Sequence, residues 1–136
     1  MIAPNRPVRI LVVEDHQVNV DLLLAILDRS DDQALRQADV SVASTLREAR
    51  AMASATEHDV VVLDMRLPDG NGLDLVADLR ERAPQPPRVL AVTANALEAD
   101  RVAAIQAGCT EFLGKPYRPS DLVAALQRVL AGGRTE

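Results

Sequence analysis

A chain of 136 residues, 48% hydrophobic and 26% charged, is sized and balanced for one globular domain with a real core. A net charge of −5 and only two aromatics, Phe112 and Tyr117, argue against the basic, aromatic-laced surface that nucleic acid requires, and equally against an anionic membrane surface. The single cysteine, Cys109, excludes an internal disulfide or a cysteine zinc site and reads as a small buried thiol at a helix end.

Residues 1–7 form a proline-containing lead-in without the apolar core of a signal peptide, and no run approaches the roughly 18 apolar residues of a membrane helix. A cytoplasmic chain is expected. Residues 8–13 (VRILVV) read as a first buried strand, which ends in the acids Glu14 and Asp15. A helix follows, with Val18, Leu22, Ala25 and Ile26 at helical spacing and Leu23 and Leu27 widening the apolar stripe. Residues 28–39 lose the period and read as a long connector with an extra helical turn around Ala34 and Leu35.

Val40, Ser41 and Val42 form a weak strand at a sheet edge. Residues 45–55 are alanine-rich and helical, with Leu46, Ala49 and Met52 or Ala53 inward. Residues 60–63 (VVVL) are short and wholly apolar, as in a strand buried on both faces, and they stop at the carboxylate Asp64. Pro68, Gly70 and Gly72 then interrupt regular structure before a helix over 73–82, with Leu73, Val76, Ala77 and Leu79 or Arg80 in register. The prolines of residues 83–87 end it.

Residues 89–93 are a fourth strand, 98–107 a fourth helix with Gly108 at its C-terminal cap, and 111–114 a fifth strand running into Lys115-Pro116. Ser120 is expected to cap a last helix carrying Leu122, Val123, Leu126, Val129 and Leu130. Five strands alternating with five helices predict an α/β fold, a doubly wound (βα)5 parallel sheet of flavodoxin-like strand order 2-1-3-4-5. Residues 8–131 form the domain, and 132–136 a frayed tail or truncated linker.

This order sends four strand ends to one crevice: Glu14 and Asp15, Asp64, Thr93, and Lys115. Three crowded carboxylates need compensation, since two charges about 4 Å apart repel by roughly 4 kcal/mol at an effective dielectric near 20. A hard divalent cation such as Mg2+ provides it, taking one or two carboxylates plus waters and phosphate oxygens. Lys115 suits one phosphoryl oxygen and the Thr93 hydroxyl another, while Asp64 can attack phosphorus and carry an acyl phosphate. His16 flanks the pocket, and His58, the second histidine, lies at the far end of the sheet.

From about Val8 to Leu130 the chain resembles the receiver domain of two-component response regulators. The resemblance rests on Glu14-Asp15, on Asp64 followed by Pro68 and Gly72, on Thr93-Ala94, on Lys115-Pro116 and on Phe112 just before the lysine. The Glu14 to Asn19 and Thr93 to Ala96 segments resemble receivers of hybrid histidine kinases. It implies that Asp64 accepts a phosphoryl group and that Asp15 binds Mg2+ directly. Glu14 would act through water, with the Arg66 backbone carbonyl a further ligand. It implies that Thr93 and Lys115 bind the phosphoryl group, that the Lys115-Pro116 bond is cis, and that Thr93 and Phe112 switch together. The switched face would comprise the fourth helix, fifth strand and last helix.

The implied donor is a histidine kinase or histidine phosphotransfer protein, and the implied output a downstream protein effector. Similar proteins also form homodimers through that face. The implied role is a signalling phosphoacceptor with slow autodephosphorylation, not an enzyme acting on a separate substrate. Arg66 and Asn95 occupy positions that in this family tune the access of water to the phosphoryl group. An aspartate-nucleophile phosphatase would want a second acid where Arg66 stands. A flavin binder would want a phosphate-cradling loop and ring-sandwiching aromatics. An unphosphorylated receiver-like docking module is the remaining alternative.

Overall fold

In the computed structural model residues 6–82, 86–94 and 97–132 are described. They form β1 (Arg9–Val13), α1 (Gln17–Asp28), α2 (Gln33–Arg36), β2 (Asp39–Ala43), α3 (Leu46–Ala55), β3 (Val60–Asp64), β4 (Arg66–Leu67) and β5 (Gly70–Asn71). They continue with α4 (Leu73–Arg82), β6 (Arg88–Thr93), α5 (Glu98–Ala107), β7 (Glu111–Gly114) and α6 (Pro119–Leu130). The helix-stopping residues 83–85, Asn95, residues 1–5 of the lead-in and the tail at 133–136 lie outside the described residues.

The main sheet has the order β2-β1-β3-β6-β7, with every pairing parallel. This is the expected 2-1-3-4-5 arrangement. The two extra strands, β4 and β5, form a small antiparallel hairpin of their own in the segment interrupted by Pro68 and Gly70.

Alternation along the strands sorts the core into two layers, because successive side chains point to opposite faces. Ile10, Val12, Val60, Val62, Leu90 and Val92 pack with Leu23, Ile26 and Leu27 of α1 and with Leu122, Ala125, Leu126 and Val129 of α6. Leu11, Val13, Val61, Leu63, Val89 and Ala91 pack with α3, α4 and α5 through Leu46, Ala49, Leu75, Val76, Leu79 and Ala104. All five residues of β3 are buried. Full burial of each Val or Leu is worth about 1.5–3 kcal/mol, so both layers anchor the strand that ends in Asp64.

Three expectations are corrected. On α1 the buried residues are Val20, Leu23, Ile26 and Leu27, whereas Val18, Leu22 and Ala25 are exposed. The segment is apolar nearly all round, so its spacing admits more than one face. On α4, Leu75 is fully buried, and Ala77 and Arg80 face outward. The last helix starts at Pro119 with Arg118 as its cap residue, not Ser120: proline with its preset φ takes the first helical position, and Asp121 accepts the Arg118 backbone N–H at 3.1 Å. Gly108 ends α5 as expected, with φ +113°. Thr45 precedes α3 as its cap, and its Oγ1 accepts the Glu48 N–H at 3.1 Å.

Candidate functional site

The parallel register of β1, β3 and β6 ends these strands at a common edge. Val13 lies opposite both Ala43 and Leu63, and Asp64 lies opposite Val92. Glu14 follows β1 directly and is held in line by its N–H, which donates to the Ala43 carbonyl at 2.9 Å. Lys115 follows β7, and its N–H donates to the Thr93 carbonyl at 2.8 Å. The Lys115-Pro116 peptide bond is cis.

These anchors bring Lys115 Nζ to 2.6 Å from Glu14 Oε1 and 3.4 Å from Asp64 Oδ2. Glu14 and Asp64 are both buried, and the Lys115 side chain is mostly so. Asp64 Oδ1 accepts the Arg66 N–H at 3.0 Å, and Glu14 Oε2 accepts the His16 N–H at 3.1 Å. Beside the carboxylates lies a small cavity of about 10 Å³, with room for at most about one water, bordered by Glu14, Asn19, Asp64, Lys115 and Tyr117.

The electrostatics divide the two buried acids. Burial pushes the Asp64 carboxyl above its ordinary value, with Glu14 adding to the rise, against the Arg66 N–H and Lys115. Burial acts on Glu14 too, but the bonds from Lys115 and from the His16 N–H outweigh it and hold that carboxyl low. For Lys115, burial favours the neutral amine, yet the bond to Glu14 and the charge of Asp64 keep its pKa above the ordinary lysine value. Lys115 thus serves Glu14 first, and Asp64 is left as the acid least stabilised as an anion.

A divalent cation fits this donor set. One carboxylate or imidazole atom from each of Glu14, Asp15, His16 and Asp64 lies within 4.8 Å of the others. Asp15 Oδ1 is closed off from solvent and accepts no hydrogen bond among the described residues. An acceptor left in that state is costly unless something fills it.

The other expected residues take separate places. Thr93 ends β6, 1% exposed, and its Oγ1 likewise has no hydrogen-bond partner among the described residues. Phe112 on β7 lies opposite Ala91 and is partly buried against the α3–α5 layer, outside the acid pocket. Arg66 is exposed. Cys109 is buried, and burial pushes its thiol up to about 12, as an inert core group requires. His58 sits before β3, at the far edge of the sheet. Tyr117, to which the sequence assigned no place in the site, forms part of the cavity wall; its position just after Lys115-Pro116 was the available signal.

The fold and pocket have close counterparts. The transcriptional regulatory protein KdpE of the KDP operon of Escherichia coli is 32% identical over 121 residues, which cover 89% of this chain and 50% of KdpE. The chain therefore spans half the length of that relative. The receiver domain of a sensor histidine kinase from Pseudomonas aeruginosa, solved with a magnesium ion coordinated in its active-site cleft, superposes with a TM-score of 0.79. Its identity is 29%, over 93% of this chain and 99% of that one. A response regulator from Burkholderia pseudomallei carrying a phosphorylated aspartic acid, a calcium ion and citrate superposes with a TM-score of 0.76 at 30% identity, over 92% of this chain and 69% of that one. The response regulator receiver domain family matches residues 10–127, a span that takes in every residue of the acid pocket, and the chain belongs to that family.

Proposed function

We propose that residues 8–131 form a cytoplasmic phosphoacceptor domain of a two-component phosphorelay. Asp64 takes a phosphoryl group from the phosphohistidine of a histidine kinase or histidine phosphotransfer protein. The observation that carries this reading is the position of Asp64: a buried, poorly stabilised carboxylate at the end of the central strand, 3.4 Å from Lys115 Nζ and beside two further acids.

In the transfer, an Asp64 carboxylate oxygen attacks phosphorus as the P–N bond of the donor breaks. The histidine nitrogen keeps the bonding pair and takes up a proton. The Arg66 N–H and the anchored end of β3 hold the attacking carboxylate in place. Lys115, already 3.4 Å from the acceptor, binds a phosphoryl oxygen as charge shifts from Glu14 toward the new group. The unpartnered Thr93 hydroxyl supplies a donor to another oxygen. Asp15 and Asp64, with Glu14 through water and the Arg66 carbonyl, would hold Mg2+, which supplies charge neutralisation of the phosphoryl oxygens. Thr93 and Phe112, both near the β6–β7 edge, would pass the change to the surface made by α5, β7 and α6. That surface exposes Val102 and Ile105, which suits a protein effector or a second copy of the domain.

Acetyl phosphate with Mg2+, followed by intact-mass measurement, tests the reading. Wild type gains about 80 Da, one phosphoryl group, and Asp64→Asn gains nothing. A gain in Asp64→Asn, or none in either protein with beryllofluoride also failing to bind, overturns it and leaves an unphosphorylated docking module.

A further inference from the structure

Phosphoryl transfer to Asp64 deprives Glu14 of its cation. Lys115 Nζ, 2.6 Å from Glu14 Oε1, has to release that oxygen in order to hold a phosphoryl oxygen on Asp64. Glu14 is buried, and a buried carboxylate that loses its partner carries a penalty. Its second oxygen, Oε2, already accepts the His16 N–H at 3.1 Å, and the Asn19 side chain is bonded to the carboxylate before Lys115 moves. Neither is a new donor. The Lys115 main chain is tied to the Thr93 carbonyl at 2.8 Å, so the part that moves is the side chain.

Tyr117 stands two residues further on, packed against the α1–α6 layer, and borders the same cavity as Glu14, Asn19, Asp64 and Lys115. That space, about 10 Å³, has room for at most about one water, so the groups around it are close neighbours. The charges of Lys115 and Glu14 reach the Tyr117 hydroxyl, and among the described residues no hydrogen bond holds it. A phenol combines an apolar body with a polar tip: the ring shields the pocket while the O–H stays available to donate.

We propose that Tyr117 is a positioning residue for the transfer: when Lys115 swings to the phosphoryl group, the Tyr117 hydroxyl donates to Glu14 Oε1 in its place. The proton stays on the phenol oxygen, and no covalent bond changes. This rests on the phosphoacceptor reading of Asp64. The hydroxyl then supports the phosphorylated state and contributes nothing to the resting state, where Lys115 occupies that oxygen.

Beryllofluoride, formed from BeCl2 and NaF with MgCl2 present, stands in for the phosphoryl group, and its affinity is read from the bound fluorine resonances. In Tyr117→Phe, which keeps the ring, that affinity falls by about tenfold or more, the worth of one hydrogen bond to a charged group. The urea midpoint and the calorimetric Mg2+ affinity of the same variant match wild type. Tyr117 is the single tyrosine and the chain has no tryptophan, so tyrosine fluorescence reports this residue alone. Beryllofluoride quenches that fluorescence in wild type, as bonding to a carboxylate does for a phenol. Equal beryllofluoride affinity in wild type and Tyr117→Phe overturns the proposal. A loss of affinity that comes with a lower urea midpoint also overturns it, because Tyr117 would then act through packing. Unchanged tyrosine fluorescence does so too. Failure of wild type to bind beryllofluoride strikes the phosphoacceptor reading itself, and the proposal falls with it.

Discussion

Gly72 is the position where the loop after the acceptor meets the acceptor's own backbone, and Gly72→Ala measures how tightly. A Cβ there would stand 2.3 Å from the Asp64 carbonyl oxygen and 3.1 Å from Leu63 Cγ and Cδ1. Carbon–oxygen contacts in proteins begin near about 3.3 Å, so the chain must open by about 1 Å. The neighbouring atom is main chain at the end of a buried strand, not a side chain that can rotate away. Gly72 N–H donates to the Met65 carbonyl at 2.8 Å, and the Gly72 carbonyl accepts from Leu75 N–H at 3.0 Å, so movement strains both bonds. Overpacking costs about 1–3 kcal/mol and a weakened hydrogen bond about 0.5–1.5 more. A loss of about 2–3 kcal/mol is predicted. In urea, with a slope of roughly 1–3 kcal/mol per molar, the midpoint falls by about 1 M or more. Calorimetric Mg2+ affinity falls in the same variant, because Asp64 moves with its carbonyl. An unchanged urea midpoint with unchanged Mg2+ affinity would refute the close packing of loop on acceptor.

Three further outcomes follow from the structure. Burial raises the Asp59 carboxyl, but the Arg6 guanidinium fork at 3.0 Å and the Arg9 N–H at 2.8 Å outweigh it and hold it below the ordinary value. Its contribution is therefore complete above the unfolded pKa of about 3.9 and is lost as pH falls through the lower folded value. Urea midpoints taken down that range should fall more steeply in wild type than in Asp59→Asn, and parallel curves would count against the ion pair. Leu75→Ala should cost about 2–5 kcal/mol in urea unfolding and Leu73→Ala, only partly buried, clearly less; equal costs would mean α4 presents another face. Asp69→Ala should speed amide exchange at Leu46 and Arg47, whose N–H groups its carboxylate accepts at 2.9 and 3.1 Å, and unchanged exchange would show that this tie does not protect the start of α3.

The parts of the structure that could be read in advance are those written locally. The VVVL run before Asp64, the prolines and glycines after it, and the order of strands and helices were sufficient for the sheet and for the edge where the acids meet. The face of α1 was not legible, because a helix with Val18, Val20, Leu22, Leu23, Ile26 and Leu27 carries apolar residues on nearly every side, and only packing on β1 and α6 selects among them. Contacts across long separations were also hidden. Lys115 and Glu14 are 101 residues apart, and no spacing rule pairs them; their convergence was visible, but not that Lys115 favours Glu14 over Asp64. The same holds for Asp69 at the start of α3 and for Arg6 on Asp59, which only the folded chain brings together. His16 could be placed beside the pocket from sequence, while its 3.3 Å approach to Asp15 could not.

The central claim is that one carboxylate of the cluster, Asp64, takes the phosphoryl group. The most direct measurement is borohydride reduction of the acetyl phosphate-treated protein followed by peptide sequencing in the mass spectrometer, since reduction converts an aspartyl phosphate to homoserine. Homoserine at position 64, and its loss when Mg2+ is chelated, is the predicted result. Homoserine at position 15, or a reduced glutamate at position 14, with Asp64 intact would contradict it.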